Sequence, residues 1–245
     1  MKKRKAPRFS LKNDEVWDYL TREFTHAVFH YFGISLRNVQ TIIAREIIKR
    51  TFLRKRHTIV LSICRQVGKT ELVAMVQWFL SFKFPALEKQ KYNIAVVAPE
   101  KDTSSLFFDK LKGYIRTYES EINCKLLVAD SKTKIKLTNG TNVDTFGLFK
   151  MAQEGSVGKS TKEGRTNNVL IRDEMHMGDD KIYRDQLLPS LTTTGGLDIF
   201  IGNGGFSRCM AKDLCESEER DDVTVFRYDF DFMKIEMLDQ HEKMM

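Results

Sequence analysis

The sequence predicts an α/β fold: a mostly parallel central sheet flanked by helices, with some antiparallel additions. Three observations carry this. The stretch Thr58 to Leu80, TIVLSICRQVGKTELVAMVQWFL, passes from an apolar, β-branched run through a short polar turn to Leu72, Val73, Val76, Phe79 and Leu80 at helical spacing. A second apolar run in KYNIAVVAPE is followed by Phe107, Leu111, Tyr114, Ile115 and Tyr118, again at helical spacing, which continues a β–α–β rhythm. Val169, Leu170 and Ile171 form a further buried strand, apolar throughout as in a parallel sheet covered on both faces.

Composition bounds the class. The chain has 245 residues, enough for one α/β domain with a substantial core. Its hydrophobic fraction of 42% and charged fraction of 30% are ordinary for a soluble globular protein. No run approaches the roughly 18 apolar residues of a membrane span, and no apolar core of a signal peptide follows MKKRKAPR. The expectation is a cytoplasmic chain without a membrane partner. Cys64, Cys124, Cys209 and Cys215 show neither zinc spacing nor the density of a disulfide scaffold, so reduced thiols are expected. A net charge of +7 permits a polyanionic partner, nucleic acid first, without locating it.

Residues 1–13 read as a flexible basic arm, either solvated or in contact with nucleic acid. From Asp14 to about Phe32, Val16, Leu20, Phe24, Ala27, Val28 and Tyr31 fall at helical spacing, with Gly33 as the stop. In SLRNVQTIIAREIIKR, Ser35 can cap a helix whose inner face is Val39, Ile42, Ile43 and Ile47. Gln40 lies beside that face; its amide can serve the edge of an adenine, or simply be an exposed helix glutamine. Pro85 is expected to close the helix that begins at Lys69. KLLVA, KIKLTNG and TNVDTFG are short alternating pieces, and Asn139-Gly140 is a hairpin signal, so antiparallel strands join the sheet there. The glycine-containing loop QEGSVGKSTKEGRTNN carries Lys159, Lys162 and Arg165, which could contact DNA or a neighbouring subunit's nucleotide. LDIFIGNGG gives a last buried strand, with Asn203 at its tip as either a turn residue or a sensor of the attacking water. Asp180 with Asp179 is expected to start a helix before IYRDQLLPSL, and the tail reads as helix, strand and helix.

The chemistry concentrates at two places. Gly68-Lys69-Thr70 stands where a strand turns into a helix, and free N–H groups at a helix start, together with the dipole, favour an anion. Lys69 would reach terminal phosphates and the Thr70 hydroxyl would hold Mg²⁺. The match is to a P-loop, although Ile63 stands where that pattern wants a glycine. Asp173 and Glu174 then follow a buried strand, at the edge where open α/β sheets bind ligands. Asp173 suits the Mg²⁺ shell, and Glu174 suits the orientation and deprotonation of water attacking a γ-phosphate. Together they predict a hydrolytic NTPase.

These residues resemble the ATPase domain of the terminase large subunit, the DNA-packaging motor of tailed bacteriophages and herpes-type viruses. The carriers are LRNVQ, CRQVGKT, LIRDEMH and DIFIGNGG. The Arg-Gln-x-Gly-Lys-Thr form looks like the terminase variant of the Walker A loop, so the misfit at Ile63 becomes support. The resemblance implies a P-loop NTPase of ASCE type using ATP and Mg²⁺, with adenine contact by Gln40 and nucleotide binding by Arg65, Gln66, Val67, Gly68, Lys69, Thr70 and Glu71. It implies Mg²⁺ coordination by Thr70 and Asp173 and a catalytic carboxylate at Glu174 on the Walker B strand. Arg165 is the candidate arginine supplied to the next subunit, and Asn203 takes the place of the family's coupling motif, usually a Ser/Thr-rich turn with proline.

As partners it implies double-stranded DNA, a portal protein, a small terminase subunit and further copies in a ring, with a pentamer expected, at the procapsid portal vertex in the host cytoplasm. The expected organisation is a helical region at 14–57, a nucleotide-binding core at 58–205 and a C-terminal subdomain or linker at 206–245, with no nuclease domain. A helicase-type DNA-dependent ATPase and a weakly hydrolysing assembly module are the alternatives.

Overall fold

The computed structural model describes residues 14–64, 68–98, 101–147, 166–174, 180–202, 209–216 and 220–228. Among them, β1 (His57–Ile63), β2 (Asn93–Ala98), β3 (Leu127–Asp130), β4 (Lys134–Leu137), β5 (Asn142–Gly147), β6 (Val169–Arg172), β7 (Leu197–Gly202) and β8 (Val223–Tyr228) form one sheet. Their order is β3-β4-β5-β2-β6-β7-β1-β8. The run from β5 to β8 is parallel, and β3 and β4 add antiparallel pairs at one edge. The Asn139-Gly140 turn joins β4 to β5 as expected, with Gly140 at φ 88°.

Alternate residues of each central strand point to opposite faces, and both faces are covered. Ile59, Leu61, Val96, Ile171 and Ile199 meet α1 (Asp14–Phe32), α2 (Asn38–Leu53), α3 (Lys69–Glu88) and α4 (Lys101–Glu121) in one continuous core. Val60, Val97, Leu170 and Phe200 meet the helical segment 180–191 and α5 (Met210–Glu216). That segment is one α turn, Asp180–Ile182, continued by a π turn, Tyr183–Leu187, and a 3₁₀ turn, Leu188–Leu191.

Two local expectations are corrected. The start of α2 is capped at Arg37 rather than Ser35, because Gln40 Oε1 accepts the Arg37 N–H at 2.9 Å from within the first turn. Its buried stripe is Val39, Ile43, Ala44, Ile47 and Ile48, while Ile42 is 53% exposed. Pro85 does not end α3, which runs on to Glu88. A proline leaves the carbonyl four residues back without its helical donor. Here that carbonyl, Ser81 O, accepts from Asn139 Nδ2 and Thr141 Oγ1, each at 2.8 Å, so the β4–β5 hairpin replaces the missing donor.

Candidate nucleotide site

The C-terminal ends of the parallel strands gather the site. β1 runs to Ile63, and α3 begins at Lys69 behind Gly68, whose left-handed φ of 74° is the turn a side chain would resist. Lys69 Nζ donates to Ile63 O at 2.6 Å and Cys64 O at 2.8 Å, which holds the ammonium over the end of β1. Thr70 and Glu71 follow in the first turn of α3. The Glu71 carboxylate is engaged from α4: Tyr114 Oη donates to it at 2.8 Å, and Lys110 Nζ lies 3.4 Å away. Burial, then the hydrogen bond to Glu71, hold the Tyr114 hydroxyl above its usual range.

Gln40 comes to the same corner. A Cβ built on Gly68 would lie 3.6 Å from Gln40 Nε2, although 28 residues separate the two in sequence. With Oε1 occupied by the Arg37 N–H, the amide's orientation is set by the helix start.

Asp173 and Glu174 leave β6, which is separated from β1 only by β7. Asp173 N donates to Val97 O at 2.9 Å, so the ladder with β2 continues into the acidic pair. The carboxyl of Asp173 is 7% exposed by residue, and burial pushes it up to about 6. The Glu174 N–H, donated to Asp173 Oδ1 at 3.0 Å, opposes the rise, the Glu174 charge adds to it, and the Lys69 ammonium opposes it. Lys69 and Asp173 therefore lie within each other's field. Glu174 itself sits at φ 51°, a left-handed conformation that a β-carbon resists.

These residues suit Mg²⁺ by their donor type. The Thr70 hydroxyl and the Asp173 carboxylate are hard oxygens, and a second cation beside Asp173 would offset a charge that burial now penalises. Among the described residues there is no cluster of three His, Cys, Asp or Glu groups. Mg²⁺ is usually bound through one or two carboxylates together with substrate phosphates.

Arg65, Gln66, Val67, Arg165 and Asn203 lie outside the described residues, as do Asp179 and His176. Sequence reasoning gave Asp180 a helix start, which the turn Asp180–Ile182 bears out, but passed over Arg172, Tyr183 and Asp198, three buried polar side chains that the partly exposed Asp180 joins through Arg172. Tyr183 Oη donates to Asp198 Oδ1, and burial pushes the Asp198 carboxyl up to about 7 against the Tyr183 bond and the Arg56 and Arg172 charges. Charged residues inside the apolar runs VLIR and LDIFIG were the available signal.

Residues 45–219 match the family model for the terminase large subunit, ATPase domain. The large terminase ATPase domain of Thermus phage P74-26 superposes with a TM-score of 0.61 at 14% identity, covering 88% of this chain and 90% of that one. The large terminase of a thermophilic bacteriophage, solved in complex with ADP, gives a TM-score of 0.52 at 11% identity over 86% of this chain. This chain spans 50% of that ADP-bound protein. A search of curated proteins finds no match. Among the described residues no helix is long and apolar enough to cross a membrane. With the family model matching most of its length, the chain belongs to the ATPase domain family of terminase large subunits.

Proposed function

We propose that this chain is an ATP-hydrolysing motor domain that drives double-stranded DNA into a viral procapsid. The observation that carries the reading is the placement of Lys69, held over the end of β1, and of Asp173 and Glu174, at the end of β6, at one edge of the sheet with only β7 between the two strands. Phosphates bind at the start of α3, where the Gly68 turn frees backbone N–H groups, and Lys69 exchanges the Ile63 and Cys64 carbonyls for phosphate oxygens. The thermophilic phage terminase was solved in complex with ADP, which supports a nucleotide as the ligand. Gln40 Nε2 faces the loop and donates to the base. Thr70 and Asp173 would hold Mg²⁺, which when bound neutralises charge on the β- and γ-phosphates.

Glu174 accepts a proton from the attacking water as the water oxygen bonds to the γ-phosphorus and the bridging oxygen leaves with ADP. Arg65, Gln66, Val67 and Glu71 complete the loop, Arg165 supplies a neighbour's charge, and Asn203 senses the γ-phosphate. In this reading residues 14–57 form the adenine side, 58–205 the catalytic core and 206–245 the outgoing subdomain. Ring closure on ATP and relaxation after hydrolysis would move DNA held between a portal protein, a small terminase subunit and further copies of this chain.

Replacement of Glu174 by Gln tests the reading. The E174Q protein should bind ATP with unchanged affinity and lose roughly 10²–10⁴-fold in turnover, measured as phosphate release with duplex DNA and portal protein present. Retained turnover would remove Glu174 from the catalytic role. ATP binding with little hydrolysis even in the presence of duplex DNA and portal protein would favour the assembly-module alternative.

A further inference from the structure

Arg172 ends β6 one residue before the acidic pair, and it is 1% exposed. Its guanidinium carbon lies 5.0 Å from the centre of the Tyr183 ring and 5.7 Å from that of Phe200. Arg172 Nη1 meets Asp180 Oδ1 at 2.6 Å, a close ionic contact. The other oxygen, Asp180 Oδ2, accepts the backbone N–H of Met210 at 2.7 Å, and Met210 is the first residue of α5. One buried cation and one carboxylate thus join the end of β6, the start of the 180–191 segment and the start of α5.

The chemistry makes this arrangement expensive unless it has a purpose beyond packing. A buried guanidinium must be paired, and a leucine or valine would continue VLI without that requirement. In some proteins such a pair fixes one arrangement of chain segments rather than adding stability. The segments fixed here are those that matter. Asp180 follows Glu174 by six residues, and Met210 follows the end of β7 by eight. The Arg172–Asp180 pair therefore binds both chains leaving this edge of the sheet to the strand that carries Glu174.

We propose that Arg172 and Asp180 are positioning residues: their ion pair sets Glu174 for hydrolysis and links its strand to α5, so that α5 responds to the nucleotide. The inference rests on the hydrolytic reading of Glu174. Neither residue is among those assigned to ATP or Mg²⁺ in the proposed function.

The test uses the full chain with DNA and portal protein. Asp180→Asn preserves shape and an acceptor for the Met210 N–H while removing the charge. It should leave the affinity for a fluorescent ATP analogue unchanged and lower kcat roughly 10- to 100-fold, the scale of a small misplacement of a catalytic group. Hydrogen exchange at 210–216 should respond to the ATP analogue in the parent protein and not in the variant. An Arg172→Met/Asp180→Asn double variant, which removes both charges and keeps an acceptor for the Met210 N–H, should fold as stably as the parent and remain slow, which separates positioning from folding. Parent-like kcat in either variant, or an unchanged exchange response, overturns the proposal. If Glu174→Gln abolishes turnover while Asp180→Asn does not, only this inference fails. If Glu174→Gln turns over like the parent, the hydrolytic reading fails and the exchange response at 210–216 decides the link to α5.

Discussion

Glu174 donates its backbone N–H to Oδ1 of Asp173 at 3.0 Å, which folds the acidic pair into one tight unit at the end of β6. The bond is compatible with a left-handed Glu174, at φ 51°. Holding a side chain there costs roughly 1–2 kcal/mol relative to glycine. Glu174→Gly should therefore raise the unfolding free energy by about 1 kcal/mol while abolishing hydrolysis. Denaturant unfolding beside a phosphate-release assay checks both halves, and a glycine variant less stable than the parent would show that no strain is held at this position.

Asp173 makes stability depend on pH. Its carboxyl is raised from 3.8 to about 6 because burial penalises the charge. The fold thus favours the neutral form: the stabilising contribution is complete below the unfolded value and disappears as pH rises through about 6. Asp173→Asn should be more stable than the parent at pH 8 by about 2 kcal/mol, or roughly 4–8 °C in Tm. The difference should shrink through pH 6 and vanish near pH 4, while Mg²⁺-dependent hydrolysis is lost at every pH. Thermal melts across that range read the sign directly.

Gly68→Ala isolates the turn before α3. A Cβ there would stand 3.6 Å from Gln40 Nε2, an ordinary contact, so the penalty is the backbone conformation alone. With φ at 74°, about 1–2 kcal/mol of stability should be lost. ATP affinity should fall with it, since the free N–H groups are aimed by this turn. Calorimetric titration with an ATP analogue measures the second effect.

The hairpin that replaces Pro85's missing donor can be tested without touching the site. Thr141→Val leaves Ser81 O one donor, Asn139 Nδ2, and should cost about 1 kcal/mol. Adding Asn139→Ala strands a buried carbonyl, so the double variant should lose more than the two single losses combined. Restoring the helical N–H with Pro85→Ala should recover part of that loss.

Much of the fold was legible because its signals are local. The 3.6-residue and 2-residue periodicities named α1, α3, α4 and the central strands within a few residues of their observed ends, and Asn139-Gly140 named the β4–β5 turn. Gly68-Lys69-Thr70 and Asp173-Glu174 were legible for the same reason: each is a chemical signature carried by adjacent residues. Where local rules failed, a distant group had intervened. Pro85 was read as a helix stop because the donors that keep α3 going arrive from Asn139 and Thr141. Ile42 was placed in the core because Ala44 and Ile48 complete the stripe only once α2 is seated against the sheet.

The tertiary structure alone decided strand order and the contacts that follow from it. The insertion of β7 between β1 and β6 brings Lys69 into the field of Asp173. The packing of α2 carries Gln40 to Gly68, and α4 turns the Glu71 carboxylate toward Tyr114. Burial of Arg172 against Tyr183, Phe200 and Asp180 belongs to the same class. Such contacts leave no periodic trace in the chain. They join residues tens of positions apart, and their identity depends on which face of which strand a side chain occupies after the sheet has assembled.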